Sequence, residues 1–258
     1  MIDLIYLKLK EGKLFKYFFW KIGLIRLYKI YKNPAYFIKL FLINFLIFFI
    51  PKSNTKSYIN LKFKLLKFKK SDINEHLDVL NTYALQCDSI LETGVRGVVS
   101  SWAFLKGLNE NNKINKKLVL NDIEDCNINE IQHVCKNAKI DFLFIKKNNL
   151  DLEFSENFDM VFIDTWHVYA QLRRELSKFS KISNQFIILH DTTVDAEFGE
   201  SVRLKLNIDE QAKASGFTIE EISKGLWPAV EEFIELNENW IIEKRFTNCN
   251  GLTVLKKI

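Results

Sequence analysis

The chain has 258 residues, 48% of them hydrophobic and 22 of them Phe, enough apolar material for a full α/β core and too much for a disordered chain. A net charge of +5 conceals an asymmetry: residues 1–70 hold 16 Lys/Arg and two acids, Asp3 and Glu11, whereas residues 71–258 hold 21 Lys/Arg and 30 Asp/Glu. A basic arm on an acidic body calls for an anionic partner, whether lipid, nucleic acid or the body itself. Cys87, Cys126, Cys135 and Cys249 make no CxxC pair and no zinc-like spacing, and no secretory pattern is present, so a cytoplasmic protein with free thiols is expected.

Residues 1–33 mix Leu, Ile, Phe and Tyr with a Lys or Arg every few positions and read as one or two helices. Pro34 and Pro51 then bracket AYFIKLFLINFLIFFI, sixteen residues interrupted only by Lys39 and Asn44. A spanning helix needs roughly 20 such residues, so this segment suits an interfacial or re-entrant helix, or one buried against the body or a sister subunit in a homo-oligomer. Residues 52–70 form a Lys-rich connector without an acid. We therefore divide the chain at residue 70 into a basic, hydrophobic helical region suited to an anionic membrane surface or to oligomerisation and a second domain, 71–258. With that arm the protein would sit peripherally on the cytoplasmic membrane face.

From Ser71 the texture changes. The apolar runs SILETGV, KLVLNDI, IDFLFIK, DMVFIDT and QFIILHDT alternate with amphipathic stretches such as Ser100–Leu108 and Val168–Phe179. Short buried strands alternating with helices predict a parallel sheet covered on both faces. Trp240–Phe246 and Leu252–Lys256 break the alternation, and the Asn-Gly between them signals a hairpin. The expected architecture is α/β: a Rossmann-like, mostly parallel seven-stranded sheet with an antiparallel C-terminal hairpin.

Two clusters carry the chemistry. Glu92-Thr93-Gly94-Val95-Arg96-Gly97 joins the first strand to a helix, where glycine permits a positive φ and close approach of a cofactor. Glu92 can face a cationic amino group, and Asp122, 28 residues after Gly94, can accept both ribose hydroxyls. The second cluster comes from two consecutive strand ends, which bring Asp164, His167, His190 and Asp191 to one edge of the sheet. Trp166, Tyr169 and Trp227 offer aromatic walls for an acceptor.

Glu-x-Gly-x-x-Gly after strand one, an acid after strand two and a reversed last strand together resemble class I S-adenosylmethionine-dependent methyltransferases. Within that superfamily, Ile163-Asp164-Thr165-Trp166-His167-Val168-Tyr169 looks like the I-D-G-D-H-S-Y stretch of sugar-directed O-methyltransferases, which include macrolide-sugar and bacterial surface-glycan enzymes and cephalosporin-hydroxylase-like relatives. The Asp-x-x-His spacing is kept, and Thr-Trp replaces Gly-Asp. The resemblance implies S-adenosylmethionine bound at Glu92, Gly94, Gly97, Asp122 and Asp164, and a sugar or glycan-precursor hydroxyl as acceptor. It implies His167 as general base and Asp164 and Asp191 as ligands of Mg²⁺ or another divalent cation. His190 stands where those enzymes carry the first acid of a pair, which suits a substrate hydrogen bond or a softer ion; a rival reading makes His167 a helix cap and His190 the catalytic base. Two other readings are an RNA methyltransferase gripping phosphate with its basic arm and a non-catalytic S-adenosylmethionine-binding protein. The aliphatic and Phe runs of the arm and the acidic body disfavour nucleic acid.

Overall fold

The alternation that starts at Ser71 becomes a single mixed sheet. A computed structural model describes residues 34–258, so the helices expected over residues 1–33 lie outside the described residues. The chain divides into a unit ending at Phe49 and a unit from Ile50 to Ile258.

In the first unit, helix α1 (Pro34–Phe49) begins on Pro34, whose missing N–H is harmless in a first turn, and Pro51 follows its end. In the second unit, Asn54 caps α2 (Thr55–Phe68) through its side chain. A short turn leads to α3 (Leu77–Ala84) and then to β1 (Ser89–Thr93), α4 (Ser100–Glu110), β2 (Lys117–Asp122), α5 (Asn129–Asn137) and β3 (Asp141–Lys146). After β4 (Phe158–Ile163), α6 (Tyr169–Phe179) and β5 (Ser183–His190) come three short helices, α7 (Glu200–Arg203), α8 (Ile208–Ser215) and α9 (Ile219–Ser223). The chain closes with α10 (Trp227–Leu236), β6 (Trp240–Phe246) and β7 (Leu252–Lys257).

The strand order is β3-β2-β1-β4-β5-β7-β6. The first five strands are parallel, and β7 runs antiparallel to both β5 and β6. The expected fold class is therefore the observed one. The hairpin turn takes Cys249, Asn250 and Gly251 through positive φ, as the Asn-Gly signal implies. Side-chain alternation assigns the two faces. Leu91, Val119, Val161, Ile163, Ile187, Leu189 and Leu255 pack with Leu172, Leu176, Val230 and Phe233 of α6 and α10. Strand residues of the opposite parity meet the other helical layer: Phe162 lies against Phe104 of α4, and Phe186 against Tyr83 of α3. Strand order reverses beside β1, and the carboxyl ends of β1, β4 and β5 at that point are where sheets of this kind form a ligand crevice.

The division by charge at residue 70 is not the division by packing, which falls at Ile50. Helix α2 belongs to the sheet unit, burying Tyr58, Ile59, Phe63 and Leu65. Its basic groups are partly spent on the acidic body: Lys62 Nζ lies 2.6 Å from Glu130 and 5.3 Å above the Trp102 ring, and Lys67 pairs with Asp78. Ile59→Ala and Phe63→Ala should each destabilise the sheet unit by about 2–5 kcal/mol, the usual range for emptying a buried site. Chemical denaturation would measure it; losses under about 0.5 kcal/mol would mean that α2 is a tether rather than part of the core.

Candidate active site

The loop leaving β1 turns on Gly94 at φ +82°. A Cβ there would lie 1.9 Å from the Asp164 carbonyl oxygen, so the loop after β4 requires the glycine as much as the turn does. Arg96 and Val98 also adopt positive φ, +39° and +57°, which L residues hold only when their surroundings insist. Asp122 supplies that insistence at Arg96. Its Oδ2 accepts the backbone N–H groups of Val95 and Arg96, each at 2.9 Å, and its Oδ1 accepts that of Glu124 at 3.0 Å. Burial alone would raise its pKa, but these amides outweigh it and hold the carboxyl below its usual range. Asp122, expected to accept ribose hydroxyls, thus gives much of its acceptor capacity to these amides, with the Cys126 thiol also beside it.

Glu92 departs further from expectation. It shares the parity of Ile90 and pairs in register with Phe162, so its side chain enters the α4 layer and not the crevice. It is 0% exposed, and its two oxygens accept the hydroxyls of Ser100 and Ser101 at the start of α4. Burial pushes its pKa up to about 8, against the pull of the two hydroxyls. Its geometry makes it an anchor of the helix that follows the glycine loop, rather than the partner of a cofactor amine.

At the ends of β4 and β5 the expected residues do meet. Asp164 Oδ1 accepts from His167 Nε2 at 3.1 Å and from His190 Nδ1 at 3.2 Å. The other nitrogen of His167, Nδ1, faces Asp191 Oδ2 and Glu200 Oε2, both at 3.0 Å, and Asp195 Oδ2 at 3.5 Å. Burial would lower the pKa of this imidazole, but Asp164, Asp195 and Glu200 raise it well above its ordinary value. Asp164 moves the opposite way, since its two histidine partners overcome burial and hold it far below the carboxylate range. Both directions describe an imidazolium among carboxylates. His190 is 2% exposed and also lies 3.3 Å from Asp191, with the His76 ring edge-on to it at 6.0 Å. From behind Asp164 it orients that carboxylate. Two sets of ligand atoms lie close enough together to hold a metal ion: Asp164, His167 and Asp191, and His167, Asp195 and Glu200.

The three aromatic residues expected to line an acceptor site each hold a partner within the protein, and Trp166 also lines a small cavity with His167 and His190. Trp166 stacks on Phe217, with centroids 5.9 Å apart, and donates Nε1–H to Ser201 at 3.1 Å. Tyr169 donates its hydroxyl to Glu232 at 2.5 Å. The Trp227 ring carries the Arg245 guanidinium 3.4 Å above it and donates to Glu231. They pack the helices that frame the crevice.

Asp195, Glu200 and Arg203 were not anticipated from sequence. Glu200 clamps His167 reciprocally, accepting its backbone N–H at 3.2 Å and donating its own to the His167 carbonyl at 2.9 Å. Arg203 binds both oxygens of the fully buried Asp195, at 2.5 and 2.9 Å. The signal available was acid density, with Asp191, Asp195, Glu197 and Glu200 following β5 within ten residues.

No protein-family model and no curated protein matches the chain. Solved structures that it resembles include an O-methyltransferase from Bacillus cereus in complex with SAH, at 15% identity, TM-score 0.46, covering 81% of this chain and 93% of that one. Another is the O-methyltransferase TomG from Streptomyces achromogenes, involved in tomaymycin synthesis and in complex with SAM, at 14% identity, TM-score 0.46, covering 81% and 90%. A third is the N-methyltransferase NodS from Bradyrhizobium japonicum WM9, at 14% identity, TM-score 0.44, covering 72% and 96%.

Two outcomes follow from this geometry. Gly94→Ala forces a methyl group into the Asp164 carbonyl, and the melting temperature should fall by several degrees, roughly 4 °C or more; an unchanged melting temperature would mean that the two loops separate freely. Glu92 holds a proton more tightly folded than unfolded, so its contribution to stability declines as pH rises from about 4.5 to about 8. Glu92→Gln should flatten that decline in denaturation measured across this window, and an unaltered slope would remove Glu92 as its source.

Proposed function

We propose that the chain is an S-adenosylmethionine-dependent O-methyltransferase acting on a hydroxyl of a sugar or glycan precursor. The observation that carries this reading is the convergence of Asp164, His167 and Asp191 at the ends of β4 and β5, with the Gly94 loop packed directly against Asp164. The sugar assignment rests on the resemblance of residues 163–169 to the sugar-directed enzymes.

The residues suit the cofactor. S-adenosylmethionine carries positive charge at its sulfonium and its amino group, and the crevice presents Asp122 on one side and Asp164 and Asp191 on the other. Asp122, at the end of β2 beside the Gly94 loop, is the carboxylate assigned to the ribose. A Cβ at Gly97 would meet only Val99, at 3.7 Å, so the loop is open where a ligand would approach.

A sulfonium methyl group is already activated, and the protein's part is to bring an oxygen nucleophile in line with it. The new O–CH₃ bond forms as the S–CH₃ bond breaks, its electron pair remaining on sulfur. The hydroxyl proton passes to Nε2 of His167 in its neutral form, in which only Nδ1 donates, to Asp191 and Glu200, and Asp164 then stabilises the imidazolium that results. General-base assistance is worth about 10²- to 10⁴-fold, and because the carboxylates around His167 favour its imidazolium, turnover should rise with pH as the neutral ring forms. Asp164, Asp191 and His167 are the residues that would hold a divalent cation; such a cation would polarise the acceptor hydroxyl, and His167 would then serve as a ligand in place of the base. Their mixed oxygen and nitrogen donors suit a transition ion better than Mg²⁺. An RNA acceptor is less well supported, because Lys62 and Lys67 of the basic arm are already paired with the body's own acids.

Calorimetry should detect S-adenosylmethionine and S-adenosylhomocysteine binding and no NAD binding, and Asp122→Ala should weaken it by about 1–3 kcal/mol. On a glycan acceptor, His167→Ala should cut turnover about 10²-fold or more while cofactor affinity holds. His190→Ala should act less severely if it only orients Asp164. Absence of cofactor binding would overturn the reading as a whole; full turnover in His167→Ala would overturn the assignment of the base.

A further inference from the structure

We propose that helix α1 is a monotopic membrane anchor that lies in the surface of an anionic bilayer with one apolar stripe among the acyl chains. The inference does not depend on the methyl-transfer reading. Ile38, Leu42, Phe45, Leu46 and Phe49 are 49–63% exposed and follow one another at helical spacing, and Phe48 is 83% exposed. Residues spaced i, i+4, i+7, i+8 and i+11 share one face of a helix, so these exposures form a stripe and not a scatter. A contiguous apolar patch of this kind on a water-soluble surface marks a docking face.

Length and charge together select the occupant. At 1.5 Å per residue, α1 is about 24 Å long, short of the roughly 30 Å hydrocarbon core. Among the described residues no helix is long and apolar enough to cross a membrane. A short apolar helix with basic flanks can still lie in the plane of the interface. Leaving aside the lysines of α2 already matched by the body's acids, residues 12–56 contain nine Lys/Arg and no Asp or Glu, with Lys39 on α1 itself and Lys52 and Lys56 just beyond it. A second copy of this chain would bring a like-charged arm against the first, and that repulsion opposes pairing through α1. Anionic headgroups neutralise the same charge while the acyl chains accept the stripe, so both properties of the segment are met by one partner.

The test is co-sedimentation of the full-length protein with vesicles of phosphatidylcholine, alone or mixed with phosphatidylglycerol. Binding should favour the mixed vesicles and weaken with added salt. Leu42→Asp with Leu46→Asp should lower the bound fraction about tenfold or more by breaking the stripe, with the melting of the sheet unit unchanged. Phe49→Asp, a single substitution at an exposed end, should act in the same direction and serves if the double variant fails to fold. Failure to bind mixed vesicles would overturn the proposal, as would binding that survives all these substitutions. A dimer that the same substitutions convert to monomer, with vesicle binding unaltered, would assign the stripe to a second copy instead.

Discussion

Carboxylates taken out of water must be met by donors or cations, and the strand-end crevice is organised by that requirement. One oxygen of Asp164 receives two histidines, and through His167 it is linked to Asp191, Asp195 and Glu200. Arg203 closes the group by taking both oxygens of Asp195. Removing any one partner leaves a buried charge uncompensated, so the members hold one another in place more firmly than pairwise counting implies. His167 is therefore held at both nitrogens, with its ring plane set before any acceptor arrives.

The same carboxylate residue ties the strand-end cluster to the Gly94 loop. The Asp164 backbone sits where a Cβ of Gly94 would lie, and its N–H donates to Thr93. On the far side, Asp122 ties Val95 and Arg96 through their amides. The loop is gripped from both flanks, which accounts for positive φ at Arg96. A cofactor lying on this loop would meet a preset surface, and a displacement of Asp164 would be felt there directly. Glu92 contributes from beneath by fixing the first turn of α4 through Ser100 and Ser101.

The basic arm serves two ends. Lysines of α2 are matched by Glu130 and Asp78, and its apolar residues join the core. In α1 the large side chains of one stripe face solvent. Uniform positive charge along residues 12–71 thus spans a segment that belongs to the sheet unit and one that does not.

Local pattern was enough for much of this. Strand and helix order, the reversed C-terminal hairpin, the glycine turn and the meeting of Asp164, His167, His190 and Asp191 all follow from period, turn chemistry and the rule that parallel strands end at one edge. Side-chain direction and partner choice do not follow from these. Glu92 reads as a cofactor contact by its distance from Gly94, yet strand parity turns it to the opposite layer. The aromatic residues Trp166, Tyr169 and Trp227 read as walls, yet Phe217, Glu232 and Arg245, 51, 63 and 18 residues away, claim them. The boundary at residue 70 follows charge, whereas packing follows the buried face of α2. Sequence by itself determined the elements, their order and the residues at the strand ends. Only the tertiary structure decided which groups face each other, because contacts between distant segments are set by how layers pack and leave no period in the chain.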